Sequence, residues 1–490
     1  MPADYLCAVR KKKPIVILED VLVEDYAAEG KSLARIDGKV IFIENTVPGD
    51  VVDVQLSKNK KDWAEGWPLR IKQHSATRVK PFCSHFGNCG GCQWQMLPYG
   101  QQLKYKQQQV FDNLTRIGKL TLPQMAPIIG CDQTTGYRNK IEYTFCTKRF
   151  IPEDEFKQLK AIDPSFKGSN NEDAGAYAGF HAKGMFDKVV NIDTCYLQEE
   201  PTNSLRKAIA AFAREHGYTF YNIREHHGYM RNMMLRIATT GEIMLNIVLG
   251  YEDREKREAL LDFILAQFPQ VTTLLYTINT KHNDSIYDLE PQVYHGNGYI
   301  LEQLEDYRFK ISPKSFFQTN TRQAERLYQV TRDFAELDGS QVVYDLYCGT
   351  GSIGIFVSAQ AKKIVGVEVI EEAIADAREN AALNNIQHAS FYAGDVIKVC
   401  NDDFFELNGR PDVIITDPPR AGMHEKLVNK LLEIAAPTVV YVSCNPATQA
   451  RDLYLLSEKY TVEKIQPVDM FPHTLHIENV VQLKLKTDVV

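Results

Sequence analysis

The stretch VVYDLYCGTGSIGIF, at residues 342–356, constrains the fold of this chain more than any other. An apolar run leads into a glycine turn and then into a helical pattern, an order in which glycine lets the backbone approach a nucleotide at the carboxyl edge of a sheet. From about residue 340 onward, strand-like runs alternate with helical ones. This alternation predicts an α/β domain over residues 311–490, with a Rossmann-like parallel sheet covered by helices on both faces.

Two acidic residues follow the turn at the ends of strands. The run KIVGVEV contains Glu368, about 20 residues after the turn, where a carboxylate can bind ribose hydroxyls. Asp395 in YAGDV follows the third strand, where it can read an adenine ring or its exocyclic amine. The turn CGTG has neither the GxGxxG spacing of dinucleotide sites nor the Lys-Ser/Thr pair of a P-loop, so the pattern favours S-adenosylmethionine.

The segment DVIITDPPRAG, at residues 412–422, places two prolines directly after another apolar run. Because proline has no amide hydrogen, the segment cannot continue a sheet and forms a rigid lip that can face a ligand, with Asp417 projecting into the cleft. Methyltransferases that act on amino groups have a similar Asp/Asn-Pro-Pro lip followed by an aromatic residue. Arg420 holds that position here, which disfavours a nitrogen acceptor.

Cys444 lies in YVSCNP, where a further buried strand ends. A thiolate can add to ring carbon 6 of a pyrimidine, which makes carbon 5 an enolate carbon able to attack a methyl group. A base must then remove the carbon 5 proton, and Glu478 in PHTLHIENVVQL is the candidate. Taken singly, a cysteine at a strand end is more often a packed thiol, and a glutamate near a C-terminus is usually exposed.

Composition limits the class of protein. With 490 residues, the chain is expected to form two to four domains. Ten cysteines without a secretory leader indicate a reducing compartment, which predicts a cytoplasmic protein. No run of about 18 apolar residues suggests a membrane span. The net charge of −7 argues against a protein that binds nucleic acid nonspecifically.

The first part of the chain, residues 15–75, has short alternating strands broken by AAEG, DGK and VPGD, the pattern of a small β-barrel. The middle, at about 100–310, mixes strand and helix patterns in an α+β manner, and its polar segment 150–180 is interpreted as an inserted loop. Basic residues concentrate in one stretch that is either an RNA phosphate contact or a solvated face. These residues are Lys58, Lys60, Lys61, Arg70, Lys72, Arg78 and Lys80.

The segment CSHFGNCGGC contains Cys83, Cys89 and Cys92 in a C-x5-C-x2-C spacing. Three clustered thiols indicate a metal site, and the spacing alone leaves two kinds of site open. Zinc takes a fourth cysteine or a histidine, for which His85 is close by, whereas an iron–sulfur cluster takes a fourth thiolate.

The motifs SFFQTN, DLYCGTG, DPPRAG, SCNP and HIENVV occur in this order along the chain. Together they closely resemble the family of S-adenosylmethionine-dependent RNA uracil-5-methyltransferases, specifically the branch with an N-terminal TRAM domain and an iron–sulfur cluster that modifies 23S ribosomal RNA. The resemblance implies that Cys444 is the nucleophile and Glu478 the proton acceptor. It assigns cofactor contacts to Gln318, Tyr347, Glu368 and Asp417. The strand order adds Asp395 to these contacts.

The resemblance also implies a [4Fe-4S] cluster. In the family, the fourth ligand lies in a segment that corresponds to VVNIDTC, so Cys195 is the predicted fourth ligand. Cys131 and Cys146 are ranked as less suitable candidates for this ligand. The implied domains are a TRAM β-barrel that binds RNA at 13–75, an iron–sulfur segment at 76–100, a central α+β domain for RNA recognition at 101–310, and the methyltransferase domain at 311–490.

The sequence therefore predicts a monomeric enzyme that methylates carbon 5 of a uridine in RNA, with 23S ribosomal RNA as substrate and transfer RNA as the alternative. The target uridine must leave its stack, and Phe316 or Phe317 can stack on a base. Cytosine-5 methylation uses the same addition, but the DPPR lip with SCNP fits uracil better. A noncatalytic TRAM and iron–sulfur RNA-binding factor would lack the chemical residues, which are all present.

Overall fold

The computed structural model describes residues 16–27, 30–166, 168 and 175–487. The predicted range 13–75 and the predicted loop 150–180 therefore lie partly outside the described residues. The chain divides into two compact units. One comprises the residues up to Phe82 together with Gln93–Pro98, and the other comprises Cys83–Cys92 and the residues from Tyr99 onward.

The first unit is built on one six-stranded sheet with the order β1-β5-β6-β4-β3-β2. Its alternating side chains bury a small apolar core that includes Val21, Ile41 and Val52. The strands are β1 (Ile17–Leu22), β2 (Asp25–Tyr26), β3 (Ser32–Ile36), β4 (Lys39–Ile43), β5 (Val51–Asn59) and β6 (Trp63–Gln73).

The basic stretch of this unit is largely paired. Arg78 donates to the buried carboxylate of Asp50 at 2.8 Å, so this guanidinium stabilises the fold. Three other cations also have carboxylate partners, and they are Lys58, Arg70 and Lys72. Among the described residues, the cations of the stretch with no ion pair are Lys60, Lys61 and Lys80.

The second unit contains a seven-stranded sheet with the order β13-β12-β11-β10-β7-β8-β9. Helices α3 and α4 join its core, and α3 buries Leu205, Ile209 and Ala213 at helical spacing. The elements are α1 (Tyr99–Arg116), β7 (Lys140–Cys146), α2 (Glu153–Ile162), β8 (Tyr177–His181), β9 (Val189–Asn191), α3 (Thr202–Glu215), β10 (Met230–Ile237), β11 (Ile243–Leu249), α4 (Arg254–Gln267), β12 (Thr273–Ile278) and β13 (Gln292–His295).

A hairpin, β14 (Ile300–Leu304) and β15 (Tyr307–Ile311), leads into helix α5 (Thr321–Ala335) and the last sheet. The further elements are β16 (Val342–Leu346), α6 (Ser352–Val357), β17 (Lys363–Glu368), α7 (Glu371–Leu383), β18 (Ala389–Ala393), α8 (Val396–Val399), α9 (Asp402–Asn408), β19 (Val413–Thr416), α10 (Glu425–Ile434), β20 (Thr438–Ser443), α11 (Pro446–Leu456), β21 (Tyr460–Val468) and β22 (Glu478–Leu485).

The last sheet has seven strands in the order β18-β17-β16-β19-β20-β22-β21. Its first five strands are parallel, and β22 joins β20 and β21 antiparallel. Apolar clusters lie on both faces of the sheet. The predicted α/β class with a Rossmann-like C-terminal sheet is thus confirmed. Because the strand order reverses between β16 and β19, their carboxyl ends are where a ligand is expected to bind.

Part of the segment 150–180 differs from the inserted loop that the sequence predicted, because it contains α2. Acidic residues fill the first turn and Lys160 the last, which suits the helix dipole. No residue of α2 is buried, which agrees with the polar composition on which the loop prediction was based. Residues 167 and 169–174 lie outside the described part of the chain.

Helix α1 lies within the predicted central range, and it packs against α11 beside the last sheet. Its Val110 and Leu114 join the apolar cluster on one face of that sheet. Residues 126–129 then run along edge strand β21, where the amides of Ala126 and Ile129 donate to carbonyls of that strand at 3.1 and 3.0 Å. The four predicted domain ranges stay predictions. No described helix is long and apolar enough to cross a membrane.

Candidate active site

The turn after β16 has the backbone geometry that its glycines predict. Gly349 and Gly351 have φ of 52° and 78°, and a Cβ at Gly351 would lie 3.0 Å from the Phe391 ring. Tyr347 also has a positive φ, 62°, which costs a non-glycine residue roughly 1 kcal/mol or more. The amides of Tyr347 and Cys348 both donate to the Val367 carbonyl, at 3.0 and 3.3 Å. The turn is therefore held against the end of β17.

Glu368 is fixed at the end of β17 by backbone amides. Its carboxylate accepts from the amides of Val369 at 2.7 Å and Ile370 at 3.1 Å, and from Gly349 at 3.3 Å. The apolar side chains of Val369 and Ile370 are exposed. An anchored carboxylate beside exposed apolar side chains suits a nucleoside, since the acid can bind ribose and the side chains can face a base.

Cys444 directly follows strand β20, and Glu478 is the first residue of the antiparallel strand β22. The last residue pair between β20 and β22 is Ser443 with Asn479, so the next residues, Cys444 and Glu478, project from the same face of the sheet. Burial, followed by the negative charges of Glu478 and Asp417, raises the pKa of Cys444 to about 12, whereas Arg420 lowers it. The thiol is thus protonated at neutral pH in this state.

The SCNP and DPPR motifs are tied together beside this pair. Asn445 caps α11 by accepting from the amide of Ala447, and Pro446 occupies the first turn of the helix. Asn445 Nδ2 also donates to the Arg420 carbonyl at 3.0 Å. The turn that carries Cys444 is therefore fixed to the proline lip as well as to its own helix.

Four carboxyl groups share one face of the sheet. Asp345 pairs with Ile415, and because side chains alternate along a strand, Asp417 lies on the same face as Asp345. By the same alternation, Glu368 and Glu478 are on this face. Burial raises the pKa of Asp417, and burial with the nearby charge of Asp417 raises the pKa of Glu478 well above its usual range.

Two residues near the acidic face, Asp345 and Tyr328, were not predicted from the sequence. Asp345 Oδ2 accepts from the Gly354 amide at 2.8 Å, Oδ1 has no hydrogen-bond partner among the described residues, and burial raises the pKa of this carboxyl to about 7. Tyr328 on α5 is 2% exposed and its hydroxyl lies 2.9 Å from Ser352 Oγ, while burial, followed by the charges of the acidic face, raises its pKa. The position of Asp345 two residues before Tyr347 was the available signal.

The remaining predicted cofactor residues differ in burial. Gln318 is buried, and its carbonyl accepts from Asn139 Nδ2 at 2.9 Å. Asp395 is exposed, caps α8, and acts electrostatically on Tyr347, so these two side chains lie close together. Phe316 is 70% exposed and Phe317 only 4% exposed. Only Phe316 is free to stack on a base, so the alternative of Phe317 was wrong.

The four predicted cluster cysteines come from two chain segments that contact each other. An antiparallel bridge joins Cys89 to Ala182, and the amide of Asp193 donates to His85 Nε2 at 2.9 Å. Cys89 and Cys195 pack against the same small apolar cluster. Within the described residues, no group of three or more His, Cys, Asp or Glu side chains is arranged to hold a metal ion.

Electrostatics links three of these thiols. Burial, with contributions from Cys195 and Cys83, raises the pKa of Cys89 to about 11. Burial and Cys83 likewise raise the pKa of Cys195. By contrast, Cys131 Sγ donates to the Asp469 carbonyl at 3.0 Å and Cys146 Sγ to the Asp187 carbonyl at 3.6 Å, so both lower-ranked thiols are engaged elsewhere.

Two family models match separate parts of the chain. A family model for tRNA (uracil-5-)-methyltransferases matches residues 292–486, and a TRAM domain model matches residues 19–69. The chain is 49% identical over 463 residues to a Bacteroides thetaiotaomicron protein named uncharacterized RNA methyltransferase, covering 94% of this chain and 100% of that protein. The chain belongs to the RNA (uracil-5-)-methyltransferase family.

Other relatives agree with this membership. A Porphyromonas gingivalis RNA methyltransferase is 47% identical over 470 residues, covering 95% of this chain and 100% of that protein. The crystal structure of Pyrococcus abyssi tRNA (uracil-54, C5)-methyltransferase with S-adenosyl-L-homocysteine superposes with a TM-score of 0.71 at 27% identity. It covers 95% of this chain and 100% of that one. This RNA (uracil-5-)-methyltransferase is dependent on S-adenosylmethionine.

The acidic face of this methyltransferase suits a cationic methyl donor. The donor carries a positive sulfonium, whereas the product S-adenosylhomocysteine has a neutral thioether at the same position. A buried cation is stabilised by nearby carboxylates, and Asp345 Oδ1 on this face has no hydrogen-bond partner in the described part of the chain. Donor binding should therefore draw protons off the acidic face, and product binding should not.

We expect this difference to appear as a pH dependence of affinity. Since burial raises the pKa of Asp345 to about 7, this carboxyl is protonated below that pH and must lose its proton when the sulfonium binds. The affinity ratio of S-adenosylmethionine to S-adenosylhomocysteine should rise by about tenfold from pH 6 to pH 8, most of it below 7. Calorimetric titration of both compounds checks this, and Asp345→Asn should make the rise shallower. Parallel pH profiles for the two compounds would contradict it.

Proposed function

We propose that this enzyme methylates carbon 5 of one uridine in RNA through a covalent bond between Cys444 and ring carbon 6. The observation that carries the proposal is the register of β20 and β22, in which Cys444 and Glu478 directly follow the last residue pair, Ser443 with Asn479, on the acidic face of the sheet. A nucleophile and a proton acceptor on one face can act on the two adjacent carbons of a single ring.

The Cys444 thiol releases its proton to solvent, its sulfur forms a bond to carbon 6, and the ring double-bond electrons move to the carbon 5 enolate. Carbon 5 takes the methyl group that S-adenosylmethionine supplies. This transfer neutralises the negative charge of the enolate and the positive charge of the sulfonium. Glu478 must be ionised at this stage, against the burial that raises its pKa, and its carboxylate then removes the carbon 5 proton. The ring double bond re-forms, and the carbon–sulfur bond breaks to return the thiolate. Arg420 supports the first step, because its charge lowers the pKa of the thiol.

Base stacking supports a target uridine that has left its helix. Phe316 is 70% exposed and lies two residues before Gln318, a proposed cofactor contact. An exposed aromatic ring at the rim of a buried site can stack on an unpaired base.

For the RNA itself, we propose 23S ribosomal RNA, on the resemblance to the TRAM and iron–sulfur branch. Transfer RNA is the second candidate, because the Pyrococcus abyssi relative is named for a transfer RNA uracil. Transcripts of both RNAs carrying 5-tritiated uridine test the proposal, since methylation at carbon 5 releases tritium. Release from the 23S transcript alone is the expected result. Release from the tRNA transcript alone supports the second candidate, and release from neither contradicts the proposed chemistry.

We also propose that Cys83, Cys89, Cys92 and Cys195 bind a [4Fe-4S] cluster in a monomeric, cytoplasmic enzyme. The packing of Cys89 and Cys195 against the same apolar cluster, and the effect of Cys83 on the pKa of both, support this set. His85 already accepts a backbone hydrogen bond, which favours four thiolates over a zinc site with this histidine. The chemistry above needs no electron, so the cluster would stabilise the segment that contacts RNA.

The cluster proposal predicts a selective effect of one cysteine. Protein purified without oxygen should be brown and contain iron and sulfide in near equal amounts. Cys195→Ser should lose most of both, because a cluster needs its fourth thiolate. Cys131→Ser is the matched control and should retain them, since its thiol bonds to Asp469. Zinc in place of iron, with no sulfide, would exclude the assignment.

A further inference from the structure

Residues Asp469–Ile477 form the loop between β21 and β22, which is called the base loop here because Glu478 follows it directly. The loop has no regular secondary structure, yet much of it is buried. Asp469 and Met470 are 0% exposed. A buried irregular segment must bond its backbone polar groups to something other than a strand or helix ladder.

Side chains from distant parts of the chain supply those bonds. Four consecutive carbonyls of the base loop, from Asp469 to Pro472, each accept from a different side chain. The donors are Cys131 Sγ at 3.0 Å, Asn320 Nδ2 at 2.9 Å, Lys106 Nζ at 3.1 Å and Tyr137 OH at 3.1 Å. The amide of His473 donates to Gln102 Oε1 at 2.9 Å. The conformation of the loop is thus set from outside it.

The central contact is an ion pair between Lys106 on α1 and Asp469. Nζ and Oδ1 are 2.7 Å apart, and both side chains are 0% exposed. Tyr99 OH donates to the other carboxylate oxygen at 2.8 Å. Desolvation makes such a pair a poor source of stability, and apolar side chains of similar size can replace one at little cost. Its value lies in the geometry that it fixes.

That geometry connects the two halves of the proposed chemistry. Asn320, which binds the Met470 carbonyl, also caps α5 and ends the FFQTN motif that carries Gln318 and Phe316. At its other end, the loop joins β22 at Glu478. His473 within it has a φ of 64°, a conformation that persists in a non-glycine residue only where the surroundings impose it.

We propose that Lys106, through its ion pair with Asp469, is a positioning residue for the proton-removal step. The inference rests on the proposed function. Cys444 lies on the turn from β20 to α11 and is held by Asn445, so it does not depend on the base loop. Glu478 is the first residue of β22, so its position depends on where the base loop ends. Loosening the loop should therefore impair proton removal more than adduct formation or methyl transfer.

The test uses Lys106→Met together with Asp469→Asn in the full-length enzyme. Lys106→Met alone leaves an unpaired buried carboxylate and can prevent folding, whereas the double variant removes both charges. Arg257→Met is the matched control, because Arg257 is a comparably buried cation, 9% exposed, on α4. Each protein is given a 23S or tRNA transcript with 5-tritiated uridine and methyl-labelled donor, under single-turnover conditions. Methyl transfer, tritium release and the covalent complex on denaturing gels are measured together.

The double variant should bind S-adenosylhomocysteine and transfer the methyl group as the wild type does. Tritium release should lag behind methyl transfer by about 10²-fold, because a displacement of about 1 Å can cost that much, and the methylated complex should accumulate. The control should release tritium as fast as it transfers methyl. Equal loss of both steps without a complex, or no loss at all, would overturn the inference. If the wild type itself forms no complex with 5-fluorouridine RNA, the proposed function fails first.

Discussion

Replacing Cys444 by alanine is expected to abolish both methyl transfer and tritium release from 5-tritiated uridine RNA. Without the thiolate, carbon 5 stays an ordinary ring carbon and has no enolate electrons to attack a methyl group. Loss of a catalytic nucleophile lowers the rate by about four orders of magnitude or more. Single-turnover assays with labelled donor should therefore show no product, and denaturing gels no protein–RNA complex.

The control for this variant is Cys400→Ala. Cys400 is a fully buried thiol of the same domain with no place in the proposed chemistry, so it reports the effect of losing a packed sulfur. It should retain methyl transfer. S-adenosylhomocysteine should still bind to Cys444→Ala, which shows that the site is folded. A methylated, gel-stable complex formed by Cys444→Ala would mean that another thiol is the nucleophile.

Glu478→Gln is expected to fail later in the same sequence of events. The adduct forms and the methyl group is transferred, because neither step needs the base. The carbon 5 proton then stays in place and the thiolate cannot leave, so the enzyme stalls as a methylated covalent complex. Release should slow by about 10² to 10⁴-fold, the contribution of a positioned base. Complexes that survive denaturing gels and carry the methyl label measure this.

Glu463→Gln serves as the matched control, since Glu463 lies on the neighbouring strand β21. It should turn over without accumulating a complex. In 5-fluorouridine RNA the wild type should stall as Glu478→Gln does, because fluorine cannot leave as a proton. Turnover of Glu478→Gln at the wild-type rate would assign the base to another group or to water.

The sequence predicted the C-terminal domain well because its signals are local. In a parallel sheet, each strand ends at the same edge, so a glycine turn, a proline lip and a strand-end cysteine can be placed together without knowing the structure. The register of β20 and β22 and the effect of Asp417 on the pKa of Glu478 are compatible with that placement, and the roles of these residues stay predictions.

The parts that the sequence did not predict depend on contacts between distant residues. Lys106 and Asp469 are 363 positions apart, and no local pattern marks a lysine within a polar helix as buried. Tyr328 appears on an amphipathic helix as one more core residue, and only the fold shows the acidic face beneath it. Helix α2 was missed because it buries no apolar stripe, which is the main signal for a helix.

The pairing of residues 126–129 with β21 has a consequence for protein engineering. An uncovered edge strand offers free amides and carbonyls to other chains and promotes aggregation. In this enzyme the segment that covers β21 is contributed by residues more than 160 positions before the start of the family match at 292, with α1 packed beside it. A catalytic fragment that begins at residue 311 would therefore expose the edge strand β21 and part of the apolar core of the sheet. A minimal soluble fragment should begin no later than Tyr99. The range that aligns with the methyltransferase family is therefore not expected to fold into a soluble domain by itself.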